Sequence, residues 1–141
     1  MATAALKKTI EKVPHVSNHT DMLFYVKKNK IDGRYLNYLR EASTFSDTVI
    51  SDWLNISVKT LRTYTKPDTD LKDNIKEHLV MILSLYSHGA DVFGNTQNFD
   101  EWLTTGNFYF DGKAPRDFVD TVSGIKHIDD QLTAMEYGDN A

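Results

Sequence analysis

The sequence predicts an all-α protein, a helix-turn-helix domain joined by a longer helix to a small helical module. Three observations carry that expectation. From Ile31 onward apolar residues recur at i, i+3 and i+4 spacing. Serine, threonine and aspartate stand just ahead of several of those runs, where helix N-caps belong. Proline, glycine and asparagine punctuate their ends.

The elements follow in chain order. "LKKTIEKV" reads as a short helix stopped by Pro14, and "MLFYV" at 22–26 fits a strand or a helical turn equally well. "DGRYLNYLREASTF" puts Tyr35, Leu36, Leu39 and Ala42 on one helical face. Ser46 or Asp47 then caps a short helix running to Trp53. Asn55 sits at the reversal, because asparagine tolerates the left-handed conformation better than any residue but glycine. Ser57 caps a second short helix over residues 58–64. Ser51 is small where the two helices meet, and Val49, Ile50, Trp53, Leu54, Ile56 and Leu61 supply a shared core.

After Pro67, Asp68 or Thr69 is the expected cap of the longer helix. Its stripe of Leu71, Ile75, Leu79, Ile82 and Tyr86 is widened by Val80, Leu83 and Leu85. So wide a face needs cover from a dimer partner or from the C-terminal half folding back. Phe99, Trp102 and Leu103 mark the next helix, with Gly106 or Asn107 available for positive φ beyond it. Asp111-Gly112 makes a turn. Pro115 opens a helix with Phe118, Val119 and Val122 inward, closed by Gly124. A last amphipathic helix turns Ile125, Ile128, Leu132 and Met135 inward and stops at Gly138.

Charge is divided along the chain. Through Lys66, eleven bases face six acids, a net +5; the remaining 75 residues hold five bases and fourteen acids, a net −9. Such a division fits two partners of opposite charge, although solvated faces alone also produce it. With no cysteine in 141 residues, thiol catalysis, disulfides and cysteine-zinc sites are excluded. No run is long and apolar enough for a signal peptide or a membrane span, so the expected compartment is the cytoplasm. His15 and His19 have i, i+4 spacing, but Pro14 and Asn18 argue against a helix there and no further histidine is near in sequence. Neither a metal nor a cofactor is expected. His78 and His88 are assigned packing or surface roles.

The outer face of the second short helix carries Ser57, Lys59, Thr60, Arg62 and Thr63, with Lys66 just beyond. Short hydroxyls and long cations suit base edges and phosphates in a DNA major groove, and equally a plain solvated face.

From "VFGN" at 93 to the end, Phe93-Gly94, Trp102-Leu103, Asn107, Gly112, Pro115, Asp117, Gly124, Leu132, Glu136 and Gly138 fall at consistent spacing. This stretch resembles the C-terminal toxin-binding domain of the Xre/MbcA/ParS antitoxin family. "ISDWLNISVKTLRTY" resembles the Xre-type helix-turn-helix that precedes it there. The resemblance covers about residues 31–141. It departs at Gly106, where the family often has proline, at Asn55 for a frequent glycine, and at Ala114 for a common hydroxyl cap. Three regions result: an N-terminal arm over 1–30 without a defined role, a helix-turn-helix domain with its connecting helix over 31–90, and a toxin-binding domain over 91–141.

The resemblance implies an antitoxin paired with a RES-domain toxin that degrades NAD, and inhibition by occlusion. Tyr137, Gly138, Asp139, Asn140 and Ala141 are the residues it implies for the plug. It also implies a homodimer within a larger toxin–antitoxin complex, binding operator DNA of its own operon. A stand-alone transcription regulator is the alternative. An enzyme is not expected: Asp129 and Asp130 diverge around a helix, and no nucleophile–base pair or phosphate-binding loop accompanies the acids.

Overall fold

A computed structural model describes residues 13–138 of the chain. Its helices are α1 (His19–Lys28), α2 (Gly33–Ala42), α3 (Asp47–Leu54), α4 (Val58–Tyr64), α5 (Asp73–Phe93), α6 (Thr96–Thr104) and α7 (Val122–Glu136), with 3-10 turns at Phe108–Phe110 and Pro115–Phe118. Among the described residues there is no strand, only an isolated antiparallel bridge between Asp32 and Asp70. The fold is all-α. The helix expected over "LKKTIEKV" lies almost wholly outside the described residues, where only Val13 is seen, buried in the core.

α5 is the axis of the molecule. Over its 21 residues Ile75, Leu79, Val80, Ile82, Leu83, Leu85 and Tyr86 are all buried, because α1, α2, α3, α6 and α7 pack around it. The wide apolar face is therefore covered within one chain, by the C-terminal half folding back together with the N-terminal helices. A single hydrophobic cluster runs from Val13 through Trp53 and Tyr86 to Leu132.

The undecided segment at 22–26 is helical. Asn18 caps α1 by accepting from the Asp21 N–H at 2.9 Å, which commits the chain to a helix before the apolar run begins. α2 buries Tyr35, Leu36, Leu39 and Ala42 as its periodicity requires. Ser46 caps α3 and Ser57 caps α4. Between them Asn55 adopts φ 58°, ψ 41°, and the Ile56 N–H reaches back to the Ser51 carbonyl at 3.0 Å. That bond satisfies an end carbonyl of α3 and fixes the reversal.

Three local expectations need correction. α5 begins at Asp73 with Lys72 as its N-cap and no side-chain capping bond. Neither Asp68 nor Thr69 caps it: the Thr69 hydroxyl donates to the Thr63 carbonyl at 3.4 Å, while Asp70 is held in the bridge to Asp32. Second, Gly106 and Asn107 both lack positive φ; that role falls to Asp111 and Gly112. At Gly106 the requirement is space, since a Cβ would lie 2.4 Å from the Gly112 carbonyl oxygen. Third, Gly124 is not a C-cap. The helix predicted from Pro115 is a single 3-10 turn, after which Thr121 caps α7 by accepting from the Gly124 N–H at 3.0 Å. Gly124 lies in the first turn of α7, where a Cβ would sit 1.8 Å from the Phe118 oxygen. Val122 is consequently exposed, while Val119 is buried.

Candidate functional site

The α4 face comes together as a set of exposed cations around hydroxyls that are already engaged. Ser57 Oγ accepts from the Thr60 N–H at 3.0 Å and donates to Thr60 Oγ1 at 2.9 Å; Thr63 Oγ1 donates to the Lys59 carbonyl at 3.2 Å. Ser57, Lys59, Arg62, Thr63 and Lys66 are exposed, and Thr60 is half-buried beside its cap. Arg62 Nε lies 3.6 Å from Asp47 Oδ2, and Arg40 forks onto the same carboxylate at 3.0 and 3.1 Å. Two guanidinium groups share one acid, so a positive charge is left over there. Lys59 and Lys66 have no ion pair among the described residues.

The same helix pair is fastened to the C-terminal module. Trp53 Nε1 donates to the Arg116 carbonyl at 3.0 Å, and Asn55 Nδ2 donates to the Asp120 carbonyl at 3.2 Å. Asn55 therefore does more than tolerate its conformation.

At the other end, α7 stops at Glu136. The Tyr137 N–H still bonds back to the Ala134 carbonyl at 3.2 Å, but its side chain is 86 % exposed, and Gly138 turns with φ +88°. Of the five residues assigned to the tail, Asp139, Asn140 and Ala141 lie outside the described residues. A second exposed aromatic stands nearby in sequence: in "FYF", Phe110 enters the core while Phe108 is 89 % exposed.

Two polar clusters were not foreseen. Asp100, buried on α6, accepts from the Tyr86 hydroxyl and from both the N–H and Oγ1 of Thr44, the latter two at 2.7 and 2.8 Å. Burial pushes the Asp100 carboxyl and the Tyr86 hydroxyl above their ordinary pKa values. The second cluster is built on His88. Its Nδ1 lies 2.6 Å from Asp129 Oδ1, its Nε2 meets Glu136, and its ring stacks on His15 with centroids 3.9 Å apart. His15 Nε2 in turn lies 2.9 Å from Asp129 Oδ1. Burial disfavours a charged His88, but the hydrogen bonds to Asp129 and Glu136 outweigh it and raise its pKa. Burial also works against the Asp129 carboxylate, and the two histidines overcome that and lower its pKa.

His15 and His19 do not converge; His15 instead meets a histidine 73 positions away and a carboxylate 114 positions away. No sequence spacing could have revealed that. His88 is a buried packing residue with charged partners, and His78 is tied to the Val119 carbonyl at 2.9 Å.

The described residues form an all-helical fold in which two short capped helices joined by a tight turn, and a C-terminal helical module, pack on one central helix. Within it, residues 88–138 match the family described as the antitoxin Xre/MbcA/ParS C-terminal toxin-binding domain. The matched segment opens on His88 and closes on Gly138, so it contains α6, both 3-10 turns and α7 whole. Comparison with curated proteins finds no significant match. No described helix is long and apolar enough to cross a membrane.

Proposed function

We propose that this protein is the antitoxin of a type II toxin–antitoxin pair, acting on a RES-type NAD-degrading toxin. The observation that carries the reading is the family match over residues 88–138, which ends where the chain leaves α7 with Tyr137 exposed. Occlusion is the mechanism: Tyr137, Gly138, Asp139, Asn140 and Ala141 enter the toxin's active site. A pocket that holds a phosphate-rich dinucleotide is basic, and Asp139 with the acidic C-terminal half complements it.

The second activity is autorepression in the cytoplasm. A homodimer within the larger complex presents Ser57, Lys59, Thr60, Arg62, Thr63 and Lys66 to operator DNA of its own operon. The basic balance through Lys66 supports this role. Residues 31–90 thus serve DNA, and residues 91–141 serve the toxin.

Co-expression with the product of the adjacent gene tests the reading. A co-purifying complex, with cellular NAD preserved only when this chain is present, is the expected result. Removing Tyr137 to Ala141 should leave helicity unchanged and restore toxicity; undiminished protection would refute the plug. Lys59→Ala with Arg62→Ala should weaken promoter binding and flatten its log–log salt slope by about 2, one for each lost phosphate contact. An unchanged slope would remove α4 from the DNA interface. Absence of both complex and rescue would favour a stand-alone regulator.

A further inference from the structure

The cluster at His88 offers the donors of a metal centre. We propose that His15 Nε2, His88 Nδ1 and the Asp129 carboxylate together bind one divalent transition-metal ion of the zinc class. One ligand atom from each of these residues lies within 4.8 Å of the others. Each comes from a different part of the chain: His15 from the segment before α1, His88 from α5 and Asp129 from α7.

The donor set selects the metal. Two imidazole nitrogens and one carboxylate suit zinc and its first-row neighbours, whereas calcium and magnesium demand oxygen ligands. A ligating histidine ordinarily donates its other ring N–H to a carboxylate, which fixes tautomer and ring orientation. His88 has that arrangement, with Glu136 on Nε2 while Nδ1 faces Asp129. Three protein ligands leave a fourth position for water.

Access and rearrangement are also favourable. His88 is enclosed, but the side chains of His15 and Asp129 are 27 % and 21 % exposed, so an ion reaches the cluster without unfolding. The Asp129 oxygens already lie 2.6 to 3.2 Å from the two ring nitrogens. Ligands about 2.0–2.2 Å from a tetrahedral zinc stand about 3.3–3.6 Å apart, so the cluster opens by several tenths of an ångström and the partly exposed His15 ring tilts out of its stack on His88 to aim Nε2 at the ion. Metal binding exchanges the ring protons in those hydrogen bonds for the ion. The product is a clamp holding the N-terminal segment, α5 and α7 together, independent of whether the chain binds a toxin or DNA.

The test uses the full-length chain, stripped with chelator and titrated with zinc by calorimetry and by thermal melting. Saturable 1:1 binding with a raised melting temperature is expected. His15→Ala should lower zinc affinity at least about tenfold, with the metal-free far-UV circular dichroism unchanged. His19→Ala, four residues on and outside the cluster, should bind as the natural chain does. Cobalt should give visible d–d bands that His15→Ala abolishes. No saturable binding, undiminished affinity in His15→Ala, or an equal loss in His19→Ala would each overturn the site.

Discussion

Tyr86 and His88 stand two residues apart on α5, so they point to nearly opposite sides of the same helix. Each anchors a buried polar cluster, and the two clusters handle burial differently. Around Tyr86 the acid and the phenol are enclosed: Asp100 is 3 % exposed, and its acceptors are taken up by one buried hydroxyl and by both donors of the surface residue Thr44. Burial shifts Asp100 and Tyr86 in the same direction, toward their neutral forms. Around His88 the charges are opposite and compensate, so the histidine rises and Asp129 falls. Here one side stays open, through His15, Asp129 and the half-exposed Glu136. An enclosed, neutral-leaning acid and phenol hold elements together. An open cluster with ring nitrogens can exchange its protons for something else.

The contrast is broken or upheld first by Asp100→Ala. The substitution removes the acceptor of both Thr44 donors, which water then meets, and the main acceptor of the Tyr86 hydroxyl, which keeps only Ser43 Oγ at 3.1 Å. Three hydrogen bonds to Asp100 are lost at about 1 kcal/mol each, so a loss of about 3 kcal/mol is expected in urea unfolding. A loss below about 1 kcal/mol would mean that the site relaxes or hydrates, and the description of Asp100 as enclosed would fail.

Gly124→Ala sharpens the comparison from the other side. The new methyl group would meet the Phe118 carbonyl oxygen, which is backbone and cannot rotate away. Overpacking of this kind costs about 1–3 kcal/mol, and its strain is directed into the first turn of α7. Because Asp129 rides on α7 while Asp100 rides on α6, the His88 ring resonances should move more than the Tyr86 ring resonances. Equal shifts at both would show that the two clusters are one mechanical unit.

Legibility in the sequence followed the range of the interactions. The α3–α4 unit could be read because Ser46, Asn55 and Ser57 act within a few residues of themselves, and caps and left-handed turns are local chemistry. The inward faces of α2, α5, α6 and α7 were legible for the same reason, as periodicity reports burial. The start of α5 was misplaced because Thr69 and Asp70 are drawn to Thr63 and Asp32, partners outside any capping window. Gly124 was misread because glycine closes a helix and also permits close approach, and only the position of Phe118 distinguishes the two uses. The tail came from resemblance rather than from any pattern of its own. Neither polar cluster was legible at all: nothing around Asp100 or His15 in the sequence marks a buried partner, and the fold alone delivers Tyr86, Thr44, His88 and Asp129 to them.

The smallest expected effect is also the most direct comparison of the two clusters. His15→Ala in metal-free protein deletes a partner of Asp129, as Asp100→Ala deletes a partner of Tyr86. Asp129 keeps His88 as a donor, and water reaches the position that His15 vacates, since both side chains are partly exposed. Exposed ion pairs contribute about 0–1 kcal/mol, so the cost in urea unfolding should stay within about 1 kcal/mol. A cost above about 2 kcal/mol would place His15 in an enclosure as tight as that of Asp100. The segment before α1 would then be a fixed wall of the core, and the route by which an ion reaches His88 would be closed.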